Sequence, residues 1–124
     1  MYLDTHVVIW LYEGAIEKLS ERGKLLLNTE ELRISPIVRL ELQFLQEINR
    51  IRTKPDDILD ELCHQMGIGF YEENMRRVIH HSMDLSWTRD PFDRLIVATA
   101  LCDNASLLTK DAIILENFKQ AVWE

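Results

Sequence analysis

The chain has 124 residues, 47% of them apolar and 28% charged, with only 4 Gly and 3 Pro. Such a composition excludes a disordered, collagen-like or loop-dominated protein, and the length predicts one compact domain over residues 1–124. With 14 Lys and Arg against 21 Asp and Glu the formal net charge is −7, which argues against a protein that simply coats nucleic acid through a basic face.

Met1 to Asp4 reads as a short strand, and Thr5 is expected to cap a helical run from His6 to Tyr12. Ser20-Glu21-Arg22-Gly23 precedes a helix through Asn28, and Leu32 to Ser35 is a second short strand. Ser35-Pro36 joins an N-cap hydroxyl to a proline at the first helical position, a strong helix start. The apolar spacing of Ile37, Leu40, Phe44, Leu45 and Ile48 carries that helix to about Ile51. Lys54-Pro55-Asp56-Asp57 opens another helix to Met66, stopped by Gly67. Ile68 to Tyr71 is a candidate third strand, Glu72 to Leu85 a helix, and Ser86 to Arg89 a loop. Asp90-Pro91 starts one more helix, to Asp103; Ser106 to Thr109 is a fourth strand, followed by a helical turn at Ala112–Leu115. The tail adds an edge strand at Ala121–Trp123. Short strands alternating with helices predict an α/β domain with a small, mainly parallel sheet.

Three further features limit the setting. No apolar run approaches the roughly 20 residues needed to span a bilayer. The first residues lack the basic and apolar regions of a secretory signal, so a cytoplasmic location is expected. Cys63 and Cys102 form no C-x-x-C pair and read as reduced thiols.

Ligands of open α/β sheets bind at the carboxyl ends of the strands, and five acids are expected there. Asp4 ends the first strand, Asp111 follows the fourth, Asp90 and Asp93 open the helix before it, and Glu41 lies early in the helix after the second. Each has a structural reading too. Asp90 serves equally well as an N-cap before Pro91, Asp93 at the third helical position favours the helix dipole, and Asp111 can cap the turn after it. Asp4 and Glu41 sit among apolar neighbours, where a charge needs a partner. Together, five acids from distant segments at one sheet edge call for a hard divalent cation, Mg²⁺ or Mn²⁺, which suits phosphoryl chemistry through an activated water. Setting them aside leaves 14 basic against 16 acidic residues, a nearly balanced surface able to approach RNA.

Leu3-Asp4-Thr5-His6, Ser35-Pro36 followed by Glu41, Asp90-Pro91-Phe92-Asp93-Arg94 and Leu107-Leu108-Thr109-Lys110-Asp111 resemble, in order and spacing, a PIN-domain nuclease of the VapC toxin type. The resemblance spans nearly the whole chain. It implies a three-layer α/β/α fold and a Mg²⁺- or Mn²⁺-dependent endoribonuclease. Asp4, Glu41, Asp93 and Asp111 would be its catalytic, metal-holding acids, with Asp90 beside them. Thr5 and Thr109 would hold the carboxylates in place, and Arg94 would pair with a carboxylate or touch phosphate. It further implies a homodimer and a small antitoxin able to insert a basic side chain into the acidic pocket. The first strand is shorter than relatives often have.

Elsewhere, Arg50, Arg52 and Lys54, and Arg76, Arg77, His80 and His81, read most simply as solvated helix faces. His6 is expected to make a hydrogen bond at a helix start rather than bind metal. Trp10, Phe44, Trp87 and Phe92 are core or dimer-interface candidates. Two other functions compete: a Mg²⁺-dependent phospho-acceptor or phosphatase domain, and a catalytically silent partner-binding module. Against the first, His6 stands where a dehalogenase-type phosphatase has its second Asp. Against the second stand the intact acids.

Overall fold

A computed structural model describes residues 1–69 and 74–124. Its sheet is built from very short parallel segments. β1 (Tyr2–Leu3) pairs with β2 (Leu107–Leu108), and β2 with β3 (Ala121–Val122). Single parallel bridges from Tyr2 to Arg33 and from Arg33 to Gly69 extend it on the other side of β1. Across the sheet the order is therefore Gly69, Arg33, β1, β2, β3. Adjacent strand residues point to opposite faces, yet Tyr2, Leu3, Leu107 and Leu108 are all buried. Both faces are thus covered by helices, the layering expected of an α/β/α sandwich.

Helix α1 (Thr5–Glu13) follows β1 directly. Its Val-Val-Ile run has modest helix propensity, and the complete burial of Val7 and Val8 compensates. Asp4, rather than Thr5, is its N-cap: the Asp4 carboxylate accepts from the Thr5 amide. A 3₁₀ turn (Ile16–Lys18) leads to α2 (Glu21–Thr29), capped by the Ser20 hydroxyl accepting from Gly23 N. Helix α3 (Pro36–Glu47) has the predicted Ser35-Pro36 start but ends four residues before Ile51. There Asn49 takes a left-handed φ of 60°, a conformation asparagine tolerates, and Arg50 N turns back to the Leu45 carbonyl.

The apolar residues of α3 divide between a buried and an exposed side. Ile37, Val38 and Leu42 face the core, whereas Leu40, Phe44 and Ile48 form an exposed apolar stripe. Helix α4 (Pro55–Met66) has its predicted bounds, closed by Gly67 at φ 63°. Helix α5 (Met75–Ser82) lies within the predicted Glu72–Leu85 span; Phe70 and Tyr71 of the third strand, and Glu72 and Glu73, fall outside the described residues. Helices α6 (Pro91–Cys102) and α7 (Ala112–Asn117) flank β2. The core runs through Leu3, Ile34, Leu42, Ile96, Leu108 and Ile114. No helix among the described residues is long and apolar enough to cross a membrane.

This topology singles out one position. From β1 the chain moves outward first to Arg33 and Gly69, and later to β2 and β3 on the opposite side. The connections therefore diverge between the carboxyl ends of β1 and β2, where crevices open in such sheets.

Candidate active site

Asp4 and Thr109 stand at that point of divergence. Asp4 is 3% exposed, and a carboxylate so buried requires polar partners. Its Oδ1 accepts from Thr5 N at 2.8 Å and its Oδ2 from the buried Thr109 hydroxyl at 2.7 Å. Thr109 Oγ1 also accepts from Asp111 N at 3.0 Å, so one hydroxyl ties the ends of both strands together. Asp111 then N-caps α7, its Oδ1 accepting from Ile113 N and Ile114 N at 2.9 and 3.0 Å.

The other acids arrive from α3 and α6. The Thr5 hydroxyl donates to Glu41 Oε1, joining α3 to the start of α1. Ser35, besides accepting from Ile37 N, lies 3.0 Å from Thr99 Oγ1. Thr99 donates its own proton to Leu95 O, so Ser35 is the donor between them, and this buried link fixes the start of α3 against α6. Asp90 caps α6, accepting from Phe92 N at 2.8 Å and Asp93 N at 3.2 Å. Its charge is nonetheless felt at Glu41 and at Asp93.

The electrostatics show that the five acids converge. Burial pushes the Asp93 carboxyl up to about 7, and the charges of Asp4, Asp90, Asp111 and Glu41 all push it the same way. Glu41 is also raised to about 7, by burial first; the Thr5 hydrogen bond opposes this, while Asp4 and Asp90 reinforce it. Among the described residues no lysine or arginine pairs with any of the five; the nearest partner is His6, with Nδ1 3.7 Å from Asp4 Oδ2. Of the two roles expected of Arg94, pairing with a carboxylate is not seen among the described residues. Its guanidinium donates to the carbonyls of Ser82 and Met83 at 3.1 and 3.4 Å, where it closes the carboxyl end of α5 and complements that helix's dipole.

Such a site can hold a hard divalent cation. Its donors are carboxylate oxygens, two of the acids are raised to about 7 by burial and by neighbouring carboxylates, and among the described residues no lysine or arginine pairs with them. Among the described residues no three His, Cys, Asp or Glu side chains are grouped closely enough to hold a metal ion between them. An ion that keeps several of its waters needs only one or two direct carboxylates, so the donor set fits Mg²⁺ or Mn²⁺. A groove of about 510 Å³ between α3 and α4, lined by Pro36, Arg39, Leu40, Gln43 and Lys54, contains none of the five acids.

The sequence matches the PIN domain over residues 1–119. This chain belongs to the PIN-domain family. Its members are nucleases. Among solved structures, it is similar to one in the VapBC2 complex of Rickettsia felis bound to a promoter DNA fragment. The TM-score is 0.68 at 19% identity, covering 99% of this chain and 98% of that one. It is also similar to one in the VapBC-1 structure of nontypeable Haemophilus influenzae, with TM-score 0.64 at 20% identity, covering 99% and 95%. These similarities establish the PIN fold of the chain. Comparison with curated proteins gives no significant match.

One member of the site's surroundings was not read from the sequence. His6 was expected to bond at the helix start, but its Nε2 accepts from Lys110 N at 2.9 Å, across from α1 to the turn after β2. The only local signal is its place two residues after Asp4; its partner is 104 residues away.

Proposed function

We propose that this PIN domain is a metal-dependent endoribonuclease, the VapC-type toxin of a type II toxin–antitoxin pair, folded as a single domain over residues 1–124 and acting in the cytoplasm. The observation that carries the reading is Asp93, a half-buried carboxyl raised to about 7 by burial and by four neighbouring acids, with no basic partner among the described residues. Asp4, Glu41, Asp93 and Asp111 would hold Mg²⁺ or Mn²⁺, with Asp90 at the rim. The cation, when bound, supplies the charge that offsets these carboxylates and the acidity that makes water a nucleophile at neutral pH.

The protein's own groups orient the site. Thr109 and the Thr5 amide fix both Asp4 oxygens. The Thr5 hydroxyl donates to Glu41 Oε1 and so orients a carboxyl whose raised value, about 7, suits proton transfer at neutral pH. A phosphodiester is the substrate that such an oxygen-liganded, charge-neutralised site serves.

The homodimer is supported by two exposed apolar stripes, Leu40, Phe44 and Ile48 on α3 and Met75, Ile79 and Met83 on α5, since apolar patches rimmed by polar residues mark protein contacts. The antitoxin is supported by the VapBC likeness and by an acidic pocket that a basic side chain would neutralise. The test is cleavage of total cellular RNA by purified protein with and without Mn²⁺, beside Asp93→Asn. Metal-dependent fragments absent from the variant are expected. Equal cleavage by the variant would overturn the assignment of Asp93.

A further inference from the structure

We propose that His6 is a positioning residue, which holds the Thr109–Asp111 turn, and with it the Asp111 carboxylate, against Asp4. The inference rests on the reading of the acidic cluster as a cation site and adds a residue to its construction. Two consecutive residues after β2, Thr109 and Lys110, are tied to the start of α1, and Asp111 is tied to Thr109. Thr109 Oγ1 donates to Asp4 Oδ2 and accepts from Asp111 N, while Lys110 N donates to His6 Nε2 at 2.9 Å. The threonine clamps one side of the turn and the histidine the other.

The ring is itself held. One helical turn on, Trp10 packs against it with centroids 4.9 Å apart, the i, i+4 geometry that brings side chains together on a helix. The same indole receives the Lys110 ammonium at 5.9 Å from its centroid, so both the backbone and the side chain of Lys110 are anchored on α1. An Nε2 that accepts a hydrogen bond is unprotonated, which places the ring proton on Nδ1, facing Asp4 Oδ2 at 3.7 Å. His6 thus presents a lone pair to the Asp111 turn and an N–H to the Asp4 carboxylate, and the two roles require one tautomer. Lys110 lies at the surface, so water can satisfy its amide if His6 is lost. The expected consequence is a displaced turn more than an unfolded protein.

The experiment compares the full chain with His6→Phe, which keeps the packing on Trp10 but has no acceptor, and His6→Gln, which returns an acceptor at the reach of Nε2. Two quantities are read: amide hydrogen exchange at Lys110 without metal, and Mn²⁺ affinity by direct titration with Mn²⁺ alone. His6→Phe is expected to exchange at Lys110 at least ~10-fold faster and to bind Mn²⁺ about tenfold more weakly, the lower end of what residues orienting a metal ligand contribute. His6→Gln is expected to recover most of both. Wild-type exchange and affinity in His6→Phe would overturn the proposal. So would ring ¹⁵N shifts of the wild type at pH 8 showing the proton on Nε2, a measurement that stands even if His6→Phe does not fold. A wild-type protein that binds no Mn²⁺ would sink the cation reading instead, while Lys110 exchange and the ring tautomer still decide the role of His6.

Discussion

Replacing Asp93 by asparagine should make the metal-free protein more stable at pH 8. In the folded chain this carboxyl is raised from an ordinary 3.8 to about 7, by burial and then by Asp4, Asp90, Asp111 and Glu41. At ~1.4 kcal/mol per pH unit, holding it ionised at pH 8 costs about 4 kcal/mol of stability at face value. Solvent reaches the half-buried group and screens it, which reduces the figure to about 1–2 kcal/mol. Against this, the variant loses a carboxylate in the first turn of α6, worth ~0.5 kcal/mol. The net gain is about 1 kcal/mol, or roughly 3–5 °C in melting temperature for a chain of this size. For an acid whose folded value is raised, stability is complete below the unfolded value and is lost as pH rises towards the folded one. The advantage of asparagine should therefore be full above pH 7 and smaller at pH 5. Thermal melts of both proteins in EDTA at pH 8 and pH 5 test this. A variant that melts at or below wild type at pH 8, or gains equally at both pH values, would refute the repulsive cluster.

Other expectations follow from the same geometry. Mn²⁺ should raise the melting temperature more at pH 8 than at pH 6, because at pH 6 it must displace protons from Glu41 and Asp93, both raised to about 7; an equal rise at both would contradict this. Thr109→Val removes the donor to buried Asp4 and the acceptor for Asp111 N, and should cost about 1–3 kcal/mol in urea titrations. Arg94→Met should lower stability by ~1 kcal/mol through loss of the carbonyl contacts at the end of α5, visible as faster amide exchange there. Gly67→Ala, at φ 63°, should cost about 1 kcal/mol by the same titration.

Local chemistry made much of the fold legible. Pro55 and Gly67 bound α4 where expected because a proline at the first position and a left-handed glycine after the last act through a few neighbouring atoms. Where distant contacts decide, the sequence misled. The α3 stripe of Leu40, Phe44 and Ile48 has the spacing of a core face, yet the neighbouring Ile37, Val38 and Leu42 are the ones buried. Periodicity names an apolar side without saying which of two adjacent apolar sides meets the sheet. Arg94 failed for a related reason. Adjacency to Asp93 suggests a pair, but on a helix consecutive residues diverge, and its guanidinium lands on α5.

The site was legible because its acids also build the helices around it. Asp4, Asp90 and Asp111 each cap a helix and take their hydrogen bonds from backbone amides at helix starts, where the dipole favours negative charge. Those starts meet at the sheet's point of divergence, so the rules that forecast helix beginnings also forecast where the acids gather. Glu41 and Asp93 differ. Glu41 receives only the Thr5 hydroxyl, and the Asp93 carboxylate accepts no hydrogen bond among the described residues. These two, without helix-start amides of their own, are the pair raised to about 7. A divalent cation entering between them would act most strongly on Glu41 and Asp93, the two groups that must lose a proton for it to bind.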